Sequence, residues 1–341
     1  MRRILFSATF ILLASSASLA GEPAKQPLRI MHFNAQCLVP PGAKARLERF
    51  RWNTAREVHF ERVAELIQTL DPDILNLLEV TNAESVAHLV KLLHEKGLKE
   101  YEGYHVESGD TFTDFDVAFI TKLKPDSVEN APIRSCYSRV AGNPFQEKYS
   151  FTDLMGNQLD RETSITRQAV YYFTIGGRKL GFLGLHLKAN PDNIYANAQR
   201  SAEARVAQRI VRREIVARGY TPIIIGDLND YDPDVPDRDD TRSTQTKVLA
   251  DLKDYDPEAE GTELVNAAER IVRKADRYTS HWDRNEDGAD DPDDAKTMID
   301  HILLHKSLMP AVRRVFISHT TDLKTSDHWP VVVDLDLSLL R

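Results

Sequence analysis

The sequence holds no surplus of basic residues: 44 Lys and Arg stand against 52 Asp and Glu, a net charge of −8. This excludes the molecule-wide positive field that draws a protein onto nucleic acid, so any phosphate-bearing substrate has to be held by local charges or metal ions. Cysteine is almost missing. Cys37 and Cys136 are the only two, and no base stands in a pattern that suits a cysteine nucleophile. Beyond the first twenty residues no apolar run is long enough to cross a bilayer, which excludes stable membrane insertion of the remaining chain. No flexible linker interrupts Leu28 to Leu340 and no solenoid-length repeat is present, so residues 21–341 are expected to form one domain.

The first residues, MRRILFSATFILLASSASLA, have a different character. Arg2 and Arg3 make a basic start, Ile4 to Leu13 an apolar stretch shorter than the ~20 residues of a span, and Ser18-Leu19-Ala20 a small-residue cleavage signal. Residues 1–20 read as a secretory signal peptide rather than an uncleaved anchor, which places the mature chain in a secreted or periplasmic location. Cleavage removes Arg2 and Arg3, leaving 42 basic residues against 52 acidic ones and a net charge of −10. An oxidising destination permits Cys37 and Cys136 to pair; two buried thiols fit equally well.

Along the mature chain, apolar strands mix with amphipathic helices. LRIMHFN (28–34) alternates like a strand and ends at Asn34. Phe60, Val63, Ala64 and Ile67 recur at helical spacing until Asp71-Pro72, where the residue before proline leaves the α region. DILNLLEV (73–80) is a buried strand ending in Glu79, and the next element is a helix from Asn82 to Lys96, with Asn82 as its N-cap. Gly176-Gly177 marks a hairpin whose second strand runs out at His186, and residues 195–217 read as one long Arg-rich helix. PIIIGDLND (222–230) then passes from three branched aliphatics straight into Asp227, Asn229 and Asp230. Asp300 lies in a later strand, and Asp327-His328 just before the last one.

Strand after strand thus ends in a polar group. If these ends converge, several carboxylates share one rim and repel one another unless a cation neutralises them. Oxygen ligands outnumber imidazoles, which favours Mg²⁺ or Mn²⁺ over zinc. Asn34, Glu79 and Asp327 suit the ligand role. His328 beside Asp300 has the layout of a base that deprotonates water, with His186 opposite on a phosphoryl oxygen or leaving group and Asn229 fixing the nucleophile or a phosphate oxygen. The groups together describe metal-assisted in-line hydrolysis of a phosphate ester.

FN (33–34), LLEV (77–80), GLHLKA (184–189), GDLND (226–230), MIDHIL (298–303) and TSDHWPV (325–331), in this order, resemble the endonuclease/exonuclease/phosphatase superfamily with its deoxyribonuclease-I-like fold. The resemblance covers nearly the whole mature chain and implies an α/β four-layer sandwich, two packed mixed β-sheets flanked by helices, with the site at the strand-end rim. It assigns the metal to Glu79 with Asn34 and Asp327 nearby, the scissile phosphate to Asp227 and Asn229, the phosphate or leaving group to His186, and the base to His328 with Asp300 as its partner. Leu78 departs from the glutamine the family usually places before its metal glutamate.

The implied activity is a secreted phosphodiester hydrolase, with nucleic acid as the first-choice substrate. A phospholipid or small-molecule phosphodiesterase, a phosphomonoesterase, and a catalytically silent binder on the same fold are the alternatives. Asp230-Tyr231 and Ile299-Asp300-His301 do not fit the inositol-phosphate phosphatases. Arg46, Arg49 and Arg51 are candidate phosphate contacts, with Phe50 and Trp52 placed to stack on a base; a salt-bridged helix face with a packed aromatic edge is an equal reading. In DRNEDGADDPDD (283–294), Asp283, Asn285 and Asp287 match the first half of a Ca²⁺ loop, against the alternative of a solvated acidic loop overhanging the site. His32 shares a strand face with Asn34 and is expected to stay out of the site; His301, His305 and His319 are expected to be structural.

Overall fold

The computed structural model describes residues 27–191, 193–241, 246–285 and 287–340; the expected signal peptide lies outside them. Two six-stranded sheets form the centre. The first runs, edge to edge, Val312–Ile317, Val331–Leu335, Leu28–Leu38, Ile74–Val80, Asp116–Thr121 and Glu102–Val106. The second runs Leu264–Asn266, Asp300–His305, Thr221–Asp227, Arg178–His186, Gln168–Ile175 and Ile133–Arg134. Both are mixed. Each has one parallel pair in its middle, Leu28–Leu38 with Ile74–Val80 and Arg178–His186 with Thr221–Asp227, and antiparallel neighbours around it.

Period-two alternation decides what each sheet shows to the other. Ile30, Ile74, Leu78, Tyr171, Phe182, Ile223, Ile225, Ile302 and Leu304 all point into one apolar layer between the sheets. The opposite faces are covered by helices. Met31, Phe33, Leu75 and Leu77 pack against Phe60, Val63, Ile67, Leu89 and Leu93 of the helices Asn53–Leu70 and Ala83–Glu95. Leu183, Leu185, Ile224 and Leu303 pack against Val206, Ile210 and Leu249 of the helices Ile194–Ile210 and Val248–Lys253. The result is the expected α/β/β/α sandwich.

Local signals explain the element ends. Asn82 caps its helix by accepting from the Ser85 amide at 2.9 Å, and the helix before Pro72 closes with Asp71 in a left-handed conformation, φ 49°. Gly176 and Gly177 turn the hairpin with φ of 57° and 80°. The expected single helix over 195–217 is corrected: it is α-helical only to Ile210, then widens into a π turn, Val211–Ile215, and a 3₁₀ turn, Val216–Arg218. The wider turn sets Ile215 against Gly181, where any Cβ would collide with it. Tyr172 takes up the Glu214 carbonyl at 2.8 Å. Cys37 and Cys136 are both free and buried in separate apolar clusters, so the disulfide does not form.

Candidate active site

The inter-sheet layer turns polar at one end because the same alternation continues into the motif residues. Ile30 is followed on its face by His32 and Asn34, Phe182 by Gly184 and His186, and Ile225 by Asp227; Ile302 is preceded by Asp300. In the second sheet Asp227 is registered against His186 on one side and Asp300 on the other, so three functional groups stand in a row across adjacent strands. Glu79 occupies a break in the Ile74–Val80 register and has φ 60°, a backbone conformation that costs about 1–3 kcal/mol for a residue with a Cβ. The break turns its carboxylate toward the second sheet.

The sequence-predicted groups meet. Asn34 Nδ2 donates to Glu79 Oε1 at 3.1 Å and to Asp227 Oδ2 at 3.3 Å. His186 Nε2 lies 3.6 Å from Asp227 Oδ2 and 3.9 Å from Glu79 Oε1. His328 Nδ1 is 2.7 Å from Asp300 Oδ2, while its Nε2 is 4.0 Å from both Asp227 Oδ2 and Asp327 Oδ1. The Asn229 amide donates to Asp227 Oδ1 at 3.0 Å and its side chain to the Leu187 carbonyl at 3.2 Å. Ser326 joins the two halves of the site, donating to the Asn34 carbonyl and accepting from the His328 amide.

His32 is a correction. Instead of staying outside, it is fully buried with Nε2 2.9 Å from Asp300 Oδ1, so Asp300 is gripped by two imidazoles. Behind it stand Asn76, 3.1 Å from His32 Nδ1, and Tyr171, whose hydroxyl donates to Asn76 Oδ1 at 3.0 Å. Sequence reasoning passed over both. Asn76 was visible as the one amide inside an apolar strand. Arg167 was missed as well; it donates to the Leu187 carbonyl at 3.2 Å and its charge reaches both His186 and Glu79.

Burial and charge set the protonation states. Burial pushes Glu79 up, and the Asp327 charge adds to it. Burial and the charge of Asp300 push Asp227 up to about 7. For Asp300 burial acts upward, but His328 and the hydrogen bond from His32 outweigh it and hold the carboxyl well below the usual range. For His328 burial acts downward and the Asp300 contact wins, raising it well above the ordinary imidazole value. His186 goes the other way: burial, then Arg167 and His328, keep it neutral.

This donor set fits a hard cation. Burial and the neighbouring carboxylates raise Glu79 and Asp227, an effect a bound cation would oppose, and Asp327 has a buried oxygen, Oδ1, with no hydrogen-bond partner among the described residues. Asp227, Asp300 and His328 also lie close enough to share an ion. Asp300 and His328, however, spend their facing atoms on each other, which leaves as ligands Asp327 and Glu79, the latter aimed by hydrogen bonds from Asn34 Nδ2 at 3.1 Å and the Cys37 amide at 2.9 Å. Asn34 turns its nitrogen to the carboxylates, its oxygen being taken by the Gln36 amide at 3.1 Å.

The outlying candidates are placed differently. Arg46 pairs with Asp114 and the Thr111 carbonyl, and Arg49 donates to the Leu323 and Thr325 carbonyls, bracing the segment before His328. Among the described residues Arg51 is the one of the three arginines that is exposed without such a tie, and Phe50 packs on His59, so for Arg46 and Arg49 the structure favours the tied, packed reading of this stretch over the phosphate-contact one. The acidic loop joins two paired strands, Ser280–Trp282 and Ala295–Thr297, rather than two helices. Several of its oxygens face its own backbone, Asp283 Oδ2 accepting from Gly288, Asn285 from Asp287 and Asp287 Oδ1 from Ala289, while Asp287 Oδ2 accepts from the Asn285 side chain and Asp283 Oδ1 has no partner among the described residues. His301 is held by Asn266 and the Asp230 carbonyl, and is structural as expected.

Two cavities bear on access. The larger, about 690 Å³, lies where the Arg178–His186 strand begins, at the end away from His186. A groove of about 320 Å³ is lined by Tyr149, Phe151, Tyr195, Arg161 and Lys188, the last only two residues beyond His186.

Comparison with known proteins agrees with this geometry. Residues 31–328 match the profile described as the Endonuclease/Exonuclease/phosphatase family. No curated protein matches the sequence. Among solved structures, an endonuclease/exonuclease/phosphatase family protein from Leptotrichia buccalis superposes with a TM-score of 0.54 at 15% identity, covering 91% of this chain and 99% of that one. D. rerio TDP2, solved with a single-strand DNA product, gives 0.51 at 16%, covering 91% and 98%. A mannosyl-6-phosphatase from Bacteroides thetaiotaomicron gives 0.52 at 17%, covering 91% and 99%.

Proposed function

The chain belongs to the Endonuclease/Exonuclease/phosphatase family, and on that premise we propose that it is an exported, divalent-metal-dependent phosphodiesterase with nucleic acid as its first-choice substrate. The observation that carries this reading is the Asp300–His328 pair, 2.7 Å apart, whose outer nitrogen faces Asp227 and Asp327 across 4.0 Å. A water hydrogen-bonded to that nitrogen would also lie within reach of these two carboxylates, which places a base beside the groups that orient an attacking oxygen.

In this reading His328 accepts a proton from water at Nε2, and Asp300 steadies the imidazolium through Nδ1. Asn229 and Asp227 hold the attacking oxygen and one phosphate oxygen. His186, being neutral, donates a hydrogen bond to a phosphoryl oxygen or to the departing alkoxide rather than carrying a positive charge. Glu79 and Asp327, with Asn34 beside them, would hold Mg²⁺ or Mn²⁺, which supplies charge neutralisation and polarises the phosphoryl group. With the carboxylates neutralised, His328 releases its proton more readily, since Asp300, then Asp327 and Asp227, are what hold it.

The groove that includes Lys188 would suit a nucleotide-bearing substrate. Aromatic rings of Tyr149, Phe151 and Tyr195 offer stacking surfaces, and Lys188 and Arg161 are cations in an otherwise acidic protein. A small-molecule or lipid phosphodiester, or a phosphomonoester, is the second reading. It is favoured by the net charge and by the acidic loop, whose Ser280 strand bridges to His328 and disfavours a long polyanion on that side. The test is a panel of plasmid, RNA, sphingomyelin and phosphomonoesters incubated with the purified mature chain, with Mg²⁺ or with EDTA. Turnover of at least one diester is expected, abolished by EDTA and by His328→Ala; wild-type turnover in His328→Ala refutes the reading.

A further inference from the structure

Asp300 is gripped from two sides, yet only His328 faces the reaction. His32 is fully buried and touches no position a substrate can reach. We infer that Tyr171, Asn76 and His32 form a one-way hydrogen-bond chain across the two sheets that fixes His32 as its Nε2–H tautomer and so locks Asp300, making His32 a positioning residue for the base. The inference rests on the assignment of His328 as that base.

The direction is set at the far end. The Tyr171 ring packs among those of Phe119, Phe173 and Phe182, and its hydroxyl donates to Asn76 Oδ1 at 3.0 Å. With that oxygen engaged, the Asn76 nitrogen faces His32 Nδ1 at 3.1 Å. An amide nitrogen only donates, so Nδ1 must be the unprotonated nitrogen of His32, and its proton resides on Nε2. Nε2 stands 2.9 Å from Asp300 Oδ1 and donates to it. Turning the amide over would put its oxygen on His32 Nδ1 and demand a proton there; in the neutral ring that is the opposite tautomer, which leaves a lone pair on Nε2 facing a carboxylate oxygen 2.9 Å away, too close for a water between them.

The consequence is carried one residue further. With Oδ1 held, the Asp300 carboxylate cannot swing about its last bond, so Oδ2 stays on His328 Nδ1. His328 then keeps its inner proton, and Nε2 remains the atom turned toward Asp227 and Asp327. Gly184 makes the crossing possible. Asn76 reaches from the first sheet into the space over Gly184 of the second, where a Cβ would strike Asn76 Oδ1 and lie 2.9 Å from Val117 Cγ1.

The experiment compares His32→Leu, which cannot donate, with His32→Gln, whose amide can still reach Asp300, in the full mature protein at saturating Mg²⁺. The probe is whichever diester the panel identifies. His32→Leu is expected to lower kcat by about 10- to 100-fold with KM and the half-saturating Mg²⁺ concentration nearly unchanged, and His32→Gln to recover most of that loss. A merely structural role would not produce this kcat-only split and its recovery. Independently, ¹⁵N-histidine NMR of the wild type, assigned by the signal lost in His32→Gln, should show His32 as the Nε2–H tautomer, and Tyr171→Phe should move it toward a mixture. An Nδ1–H tautomer in the wild type overturns the inference, as does a His32→Leu enzyme with wild-type kcat while His328→Ala is inactive. If His32→Leu does not fold, His32→Gln and the spectrum decide. Should His328→Ala stay active, the functional reading falls, and the spectrum still reports separately whether the chain exists.

Discussion

Gly226→Ala should weaken the fold and disturb the reaction by the same displacement. Gly226 precedes Asp227 and has φ 156°, outside the range that a residue with a side chain occupies without strain. A Cβ there would lie 2.8 Å from the Leu185 carbonyl carbon, 2.9 Å from the Leu185 nitrogen, and closer still to the Leu185 oxygen. Carbon contacts are relaxed near ~3.5–4.0 Å, so the two parallel strands must part by roughly 1 Å. The backbone conformation costs about 1–3 kcal/mol and the overpacking about as much again, giving about 2–6 kcal/mol. That is a large share of the ~5–15 kcal/mol that holds a typical domain together. The strands in question carry Asp227 and His186 at adjacent register positions, so the shift falls directly on two reacting groups. A 1 Å misplacement is expected to lower kcat by about 100-fold. Urea unfolding gives the first number and single-substrate kinetics, at a temperature where the variant is folded, the second. Gly219→Ala is the control, since Gly219 also has positive φ, 79°, but open space around it. A Gly226→Ala protein within about 1 kcal/mol of wild type and with unchanged kcat would refute the argument.

The charges of the site govern the remaining predictions. Asp300→Asn removes the carboxylate that raises His328 and makes one of the two imidazoles face an NH₂ group; kcat should fall by about 10³-fold or more, and a loss under about tenfold would contradict the assigned role. Because Glu79 is raised and Asp227 is pushed up to about 7, protons compete with the cation, so Mg²⁺ affinity should rise from about pH 6 to pH 8 with proton release. The folded metal-free protein binds the Asp227 proton more tightly than the unfolded chain does, so its stability should fall as pH rises from about 4 to about 7, and excess Mg²⁺ should offset the loss. Calorimetry in buffers of different ionisation enthalpy checks the first part and pH-dependent unfolding the second. A pH-independent affinity would count against both.

What could be read in advance was whatever depended on a strand's own alternation and its terminal residue. Asn34, Glu79, His186, Asp227 and Asp300 each sit at an apolar run whose end is marked locally, so their convergence needed only the sandwich the motifs implied. The order of strands within each sheet is a non-local pairing choice and left no such mark. His32 was misplaced because a lone histidine in a strand usually meets a backbone partner; its true partner, Asp300, is 268 positions away. The two equal readings of Arg46 and Arg49 could not be separated in advance because their acceptors, Asp114 and the 323–325 carbonyls, are distant in sequence. The helix break at Val211 answers to Gly181 on a facing strand, a contact no helical periodicity encodes. Cys37 and Cys136 could not be paired or parted from spacing alone; the fold buries them in different apolar clusters.

Ser326, the residue that ties the two halves of the site together, lies 292 positions after Asn34, whose carbonyl its hydroxyl reaches. Synthesis therefore delivers Glu79, Asp227, Asp300 and the buried His32 before His328, the proposed proton acceptor, arrives. A polypeptide still emerging from the ribosome, or one clipped short of Asp327, holds its cutting edge unassembled.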